Sequence, residues 1–187
     1  MTARGPEGGQ WVVYLILRVP RGASVELETE NGAIDVRDVT GTIDARTLNG
    51  PIALKDCAGE ARARAQNGPV ASSGGSGKQD LSTQNGPVAV ELKGTSWTGA
   101  GLTAKTANGP IALTLAPDYR TGVRVDSSGR SPIVCSGLAC ETVRRDRREG
   151  HRTLVFGAEE PTIRLSTDNG PVVVGPLPDE EEATAVE

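Results

Sequence analysis

The chain has 187 residues, enough for one sizeable domain or at most two small ones. Aromatic residues make up only 3% of it, which excludes a wide interior filled by large rings and suits a thin one filled by Val, Ile, Leu, Ala and Thr. The net charge of −4, with both signs interspersed, leaves no electrostatic footprint for nucleic acid, and no apolar run approaches the roughly 20 residues that span a bilayer.

In chain order, residues 1–10 read as a flexible polar segment, and no apolar core of a secretory signal follows Met1. Residues 11–22, with Trp11, Tyr14 and the apolar run to Val19, have strand length and are expected to form an N-terminal cap on the fold.

From residue 23 a repeat takes over. Asn-Gly recurs at Asn31, Asn49, Asn67, Asn85, Asn108 and Asn169; the first four are 18 residues apart, and five of the six continue into Pro51, Pro69, Pro87, Pro110 and Pro171. Around each Asn-Gly the apolar residues alternate with period two, as in Val25, Leu27 and Thr29 before the first and Ile34 and Val36 after it. Each copy is therefore a strand, an Asn-Gly corner, a second strand and a second turn. Two short strands cannot bury a face alone, so copies must stack, and an even period keeps inward positions inward from copy to copy.

The expected fold is all-β: a single-domain β-solenoid over residues 11–177, with about seven parallel rungs, an 18-residue repeat and a column of Asn-Gly corners. At roughly 4.8 Å per rung the stack is roughly 30–35 Å tall. Regular rungs are assigned to residues 23–133, an irregular excursion to 134–160 and a closing rung to 161–177. The acidic residues 178–187 read as a disordered tail. The six asparagines are expected to form an amide ladder, so their role is architectural.

The phrases Val19-Pro20-Arg21-Gly22-Ala23, Leu27-Glu28-Thr29-Glu30-Asn31-Gly32 and Ile163-Arg164-Leu165-Ser166-Thr167-Asp168-Asn169-Gly170 resemble the bacterial adhesin-type, β-strand-repeat domain family of unknown function related to head-GIN domains. The resemblance covers residues 11 to 175. It implies a cell-envelope location and brings no catalytic residues. The chain departs from the family in using Asn-Gly-Pro where many relatives have Gly-Asp.

Catalytic chemistry finds little support. The single histidine, His151, lies beside the run Arg144-Arg145-Asp146-Arg147-Arg148, which reads as a solvated segment, and a pairing of His151 with Cys140 is disfavoured. Residues 72–79 lack the first Gly and closing Ser/Thr of a phosphate loop and occupy a turn. No His/Cys cluster has zinc spacing, so neither metal nor cofactor is expected. Glu26 near Asp44, and Glu28 near Arg46, are what any solvated parallel sheet shows.

Cys57 falls in an inward register and is expected to behave as a small buried hydrophobe. Cys135 and Cys140 have a spacing able to close a disulfide in an oxidising compartment. The outward positions after each corner, Pro51 and Ala53, Pro69 and Ala71, Pro87 and Ala89, Pro110 and Ala112, and Pro171 and Val173, should stack into two smooth columns. These form a candidate interaction face, unless the excursion or the N-terminal segment covers them.

The resulting reading is a non-catalytic, extracytoplasmic module that binds protein or cell-surface glycan, or itself. The alternatives are a cytoplasmic scaffold that polymerises end to end, as bactofilin-like solenoids do, and, more weakly, a polysaccharide-active enzyme.

Overall fold

A computed structural model describes residues 15–128, 131–137, 140, 143–148 and 150–177. The expected flexible segment 1–10, the first part of the cap strand and the acidic tail lie outside these residues.

The chain coils as a two-sheet solenoid. Each rung gives one longer strand to the first sheet and one shorter strand to the second. The first four rungs are β1 (Ala23–Asn31) with β2 (Ile34–Arg37), β3 (Thr40–Asn49) with β4 (Ile52–Lys55), β5 (Ala58–Asn67) with β6 (Val70–Ser73), and β7 (Ser76–Asn85) with β8 (Val88–Leu92). The fifth is β9 (Gly101–Asn108) with β10 (Ile111–Leu115). Along the chain come β11 (Gly122–Ser128) with β12 (Ile133–Cys135), a hairpin of β13 (Arg144–Arg148) and β14 (His151–Phe156), and finally β15 (Pro161–Asn169) with β16 (Val172–Pro176). The first sheet runs β1-β3-β5-β7-β9-β15-β11-β14-β13 and the second β12-β16-β10-β8-β6-β4-β2. Seven parallel rungs result among the described residues.

The even period holds the register that the sequence predicts: Val25 lies beside Ile43, and Ile43 beside Ala61. Inward residues such as Ile43, Ala45, Ile52, Leu81, Leu113 and Leu165 are sealed between the sheets. Burying a side chain of Leu or Ile size stabilises by about 1.5–3 kcal/mol, so rung-on-rung stacking carries the fold. Cys57 is buried at 1% exposure in its expected inward register.

The corner chemistry is specific. Asn49 donates its side-chain amide to the Oδ1 of Asn31 at 3.0 Å, and Asn67, Asn85, Asn108 and Asn169 each continue the ladder at 2.9–3.1 Å. Two residues before the Asn, the buried hydroxyls of Thr83 and Thr106 donate to the Gly68 and Gly86 carbonyls on the preceding rung, both at 2.9 Å. Alternation explains why that position points inward; the hydrogen bond explains why it is so often Thr. From the second corner on, the glycine is required by close approach: a Cβ on Gly68, for example, would collide with the carbonyl of Gly50. At the second turn Asp38 and Asp56 take the left-handed conformation, at φ 55° and 51°.

Three details correct the expected segment plan. The rung at 161–177 is sixth in space and not the closing one: β15 pairs with β9 on one side and β11 on the other, so the chain leaves a gap and returns to fill it. The excursion 134–160 is not wholly irregular, since β14 pairs antiparallel with β11 and β13 antiparallel with β14, extending the first sheet. Residues 15–20 form no strand; a turn closed by the Ala23 amide on the Pro20 carbonyl, at 3.3 Å, precedes β1. They therefore do not cap the first rung, whose free edge has no neighbour among the described residues.

Candidate functional site

The second sheet is short-stranded and fully parallel, and its outward positions line up across all seven rungs. Register places Asp35 beside Ala53, then Ala71, Ala89, Ala112, Val173 and Val134 in one unbroken column. The neighbouring column is set by amides that donate to the proline carbonyls of the adjacent rung: Ile34 to Pro51, Ile52 to Pro69, Val70 to Pro87, Val88 to Pro110, Ile111 to Pro171 and Val172 to Pro132. Proline fits there because its missing N–H faces no acceptor.

The alanine side chains are shorter than those on either side, so the column is a trough of about 280 Å³, bordered by Arg37, Lys55, Glu91 and Thr114. Among the described residues neither the excursion nor the N-terminal segment covers it. Ala89 and Ala112 are exposed, and Val173 and Val134 are 44% and 49% exposed. Asp35 closes one end. It is held below the usual carboxylate range by hydrogen bonds from Arg37, the closest at 2.6 Å, against the opposing effect of slight burial. The column thus runs from a charged end at Asp35 to an apolar one at Val173 and Val134.

The structure brings together all ten residues of the candidate face and adds Pro132 and Val134, which sequence reading missed. Their rung has no Asn-Gly. Ser127 pairs with Thr167 and Ile133 with Val172, so five intervening residues on one rung match four on the other, and the extra residue shifts the count.

The outer face of the first sheet differs. Glu26, Glu28, Arg46, Arg62, Arg64 and Asp80 stand at outward positions there. Arg46 reaches Glu26 at 3.3 Å and also pairs with Asp44; Arg62 and Lys78 share Glu60 at 2.9 and 3.2 Å. Such exposed pairs contribute about 0–1 kcal/mol each. A broad hollow of about 750 Å³ crosses this face over Arg64 and Lys105. It is open, and its lining mixes Arg46, Arg64 and Lys105 with hydroxyl, amide and alanine side chains.

The residues considered for catalysis are dispersed. His151 is exposed at the start of β14. Cys140 is joined to Cys135 in a disulfide with Cα atoms 5.8 Å apart, so it offers no thiolate to a histidine. Ser72 is buried and donates to Gln79 at 2.7 Å, while Lys78 is paired with Glu60, which dissolves any phosphate loop at 72–79. Among the described residues no group of three or more His, Cys, Asp or Glu side chains is placed to hold a metal, and no helix is long and apolar enough to cross a membrane.

Comparison with protein families, with curated proteins and with solved structures gives no match to any of them. The chain is a solenoid-like structural module, and its surface is the source of any functional reading.

Proposed function

We propose that the protein is a binding module of the bacterial cell envelope whose working surface is the outer face of the second sheet. The observation that carries this is the uncovered column Ala53–Ala71–Ala89–Ala112–Val173–Val134, aligned by register over six rungs. A flat apolar strip that no part of the fold conceals is the kind of surface a soluble chain retains for a partner. The occupant is an extended protein segment or a glycan chain, laid across the strands with its apolar side on the alanines. The disulfide near the end of that strip supports an oxidising compartment, in keeping with the envelope location that the family resemblance implies.

The polymerising-scaffold reading is weaker because β13 ends the first sheet with Arg145 opposite Leu154 and Arg147 opposite Arg152, on the core side. Stacking a further copy there would lay arginines over its Val25 and Leu27. Inward-facing charges at an edge oppose such growth.

The test is the double variant Ala71→Glu with Ala89→Glu, compared with the parent for binding to isolated cell-wall polysaccharides and envelope proteins. Loss of binding with an unchanged melting curve is expected. Binding that survives both glutamates refutes the assignment to this face.

A further inference from the structure

The two ends of the stack are finished differently. At the far end the β13–β14 hairpin extends the first sheet beyond the last parallel rung, and a disulfide follows β12. The near end is bare along β1. Val25, Leu27 and Thr29 are only half-buried, whereas the same positions one rung on, Ile43, Ala45 and Thr47, are at 0%, 0% and 5% exposure. The amide ladder is also unfinished there. Every Asn donates toward the first rung, so the Asn31 amide has no acceptor among the described residues.

The segment just before β1 carries what this end lacks. Leu15, Leu17 and Val19 share one parity and are 54%, 48% and 38% exposed, with Ile16 at 87% and Arg18 on the other side. It does not fold back along its own β1, and the turn explains why. Gly22 has φ 79° while Arg21 is not among the residues of positive φ, so the Pro20–Ala23 turn is positive only at its second central position. That is the hand of a type II turn, which splays the arms of a two-residue hairpin, whereas the I′ and II′ turns that close one need positive φ at the first central position.

We infer that the bare end is completed by a second copy: two chains meet at their N-terminal ends and exchange the 15–19 segments, each lying as an added strand along the other's β1. Edge and strand are both present on one chain, and neither is satisfied within it. Direct β1–β1 contact is opposed by the outward glutamates Glu26, Glu28 and Glu30, which would meet their own copies. The exchanged strand separates these columns, seats its odd-numbered residues over Val25 and Leu27, and brings Arg18 to the glutamates. The contact is isologous, so it closes as a dimer, and the arginine-edged far end does not extend it.

Sedimentation velocity across a concentration series, paired with hydrogen exchange, tests this on the full chain. A dimer with protected β1 amides is expected. Leu15→Asp with Leu17→Asp should weaken the dimer by roughly a hundredfold or more and expose β1, leaving the inner rungs unchanged. Because Asn-Gly favours the I′ turn, Arg21→Asn should let the segment close on its own chain, giving a monomer in which β1 stays protected. A parent chain that is monomeric throughout the series, or a dimer that survives the aspartates, overturns the proposal. So does an Arg21→Asn variant whose dimer is as strong as the parent's.

Discussion

Asn169 donates its side-chain amide to Asn108 at 3.1 Å across 61 residues of sequence, and through that bond the last part of the chain enters the middle of the stack. The ladder passes from the fifth rung to the C-terminal rung, while the intervening residues build the end of the solenoid. Among the described residues the final strands β15 and β16 are therefore the only parallel neighbours of β11 and β12.

Removing residues 161–177 should consequently do more than trim an end. Both edges of the gap lose their partners, and the buried residues Ile163, Leu165, Val172 and Val174 go with them. Hydrogen exchange on the truncated chain should show lost protection in β11, β12 and the hairpin, with β3 to β7 still protected. Protection retained in β11 would mean that the returning rung is dispensable.

Gly68→Ala should be among the costliest single substitutions. The added Cβ meets the Gly50 carbonyl, and φ 156° is a conformation that L side chains rarely adopt. A backbone collision and conformational strain together predict a loss of roughly 3 kcal/mol or more, read as a lowered urea midpoint. Gly94→Ala, where nothing lies within 4 Å, bears only the strain of φ 72° and should cost about 1 kcal/mol.

The cysteines should separate by reactivity. Burial pushes the Cys57 thiol above its ordinary range, despite backbone hydrogen bonds at Val39 and Lys55 that act the other way. A thiol reagent should therefore label Cys57 only on unfolding. Reducing the Cys135–Cys140 bridge, which closes a loop of sequence separation 5, should lower stability by about 2 kcal/mol on the chain-entropy account. Calorimetry with and without reductant measures it.

Acid should loosen the hairpin end. Partial burial acts to raise the Asp126 carboxyl, but hydrogen bonds from Arg124 at 2.8 Å and Thr153 at 2.7 Å outweigh it and hold the group below its ordinary range. A depressed folded-state value contributes stability that is present above the unfolded value of about 3.9 and lost as pH falls through the folded one. Thr153→Val should therefore be less stable than the parent at neutral pH and lose less on acidification. Equal pH slopes in the two proteins would refute this role for Asp126.

The repeat, the inward residues and the amide column were legible in the sequence because each rests on local arithmetic. An 18-residue period is even, so placing Ile43 inward also places Ala61 inward, and equal spacing alone brings Asn49 beside Asn31. The apolar columns after the corners came from the same parity, and only Pro132 and Val134 escaped, where an added residue breaks the count.

Only the tertiary structure decided the order of the rungs, the hairpin at one end and the bareness of the other. Nothing periodic in residues 161–177 says that β15 lies between β9 and β11, because that place is set by competition between two distant edges for the same hydrogen bonds. Arg145 and Arg147 read as a solvated run and are exposed, but only the pairing with β14 shows that they stand at the register of Leu154 and Arg152 on the final strand. Likewise the apolar run before β1 has the composition of a cap, but the hand of a single turn at Arg21-Gly22 keeps it from closing on its own chain. Parity propagates along a chain by counting; edges are settled by whichever strand arrives to fill them.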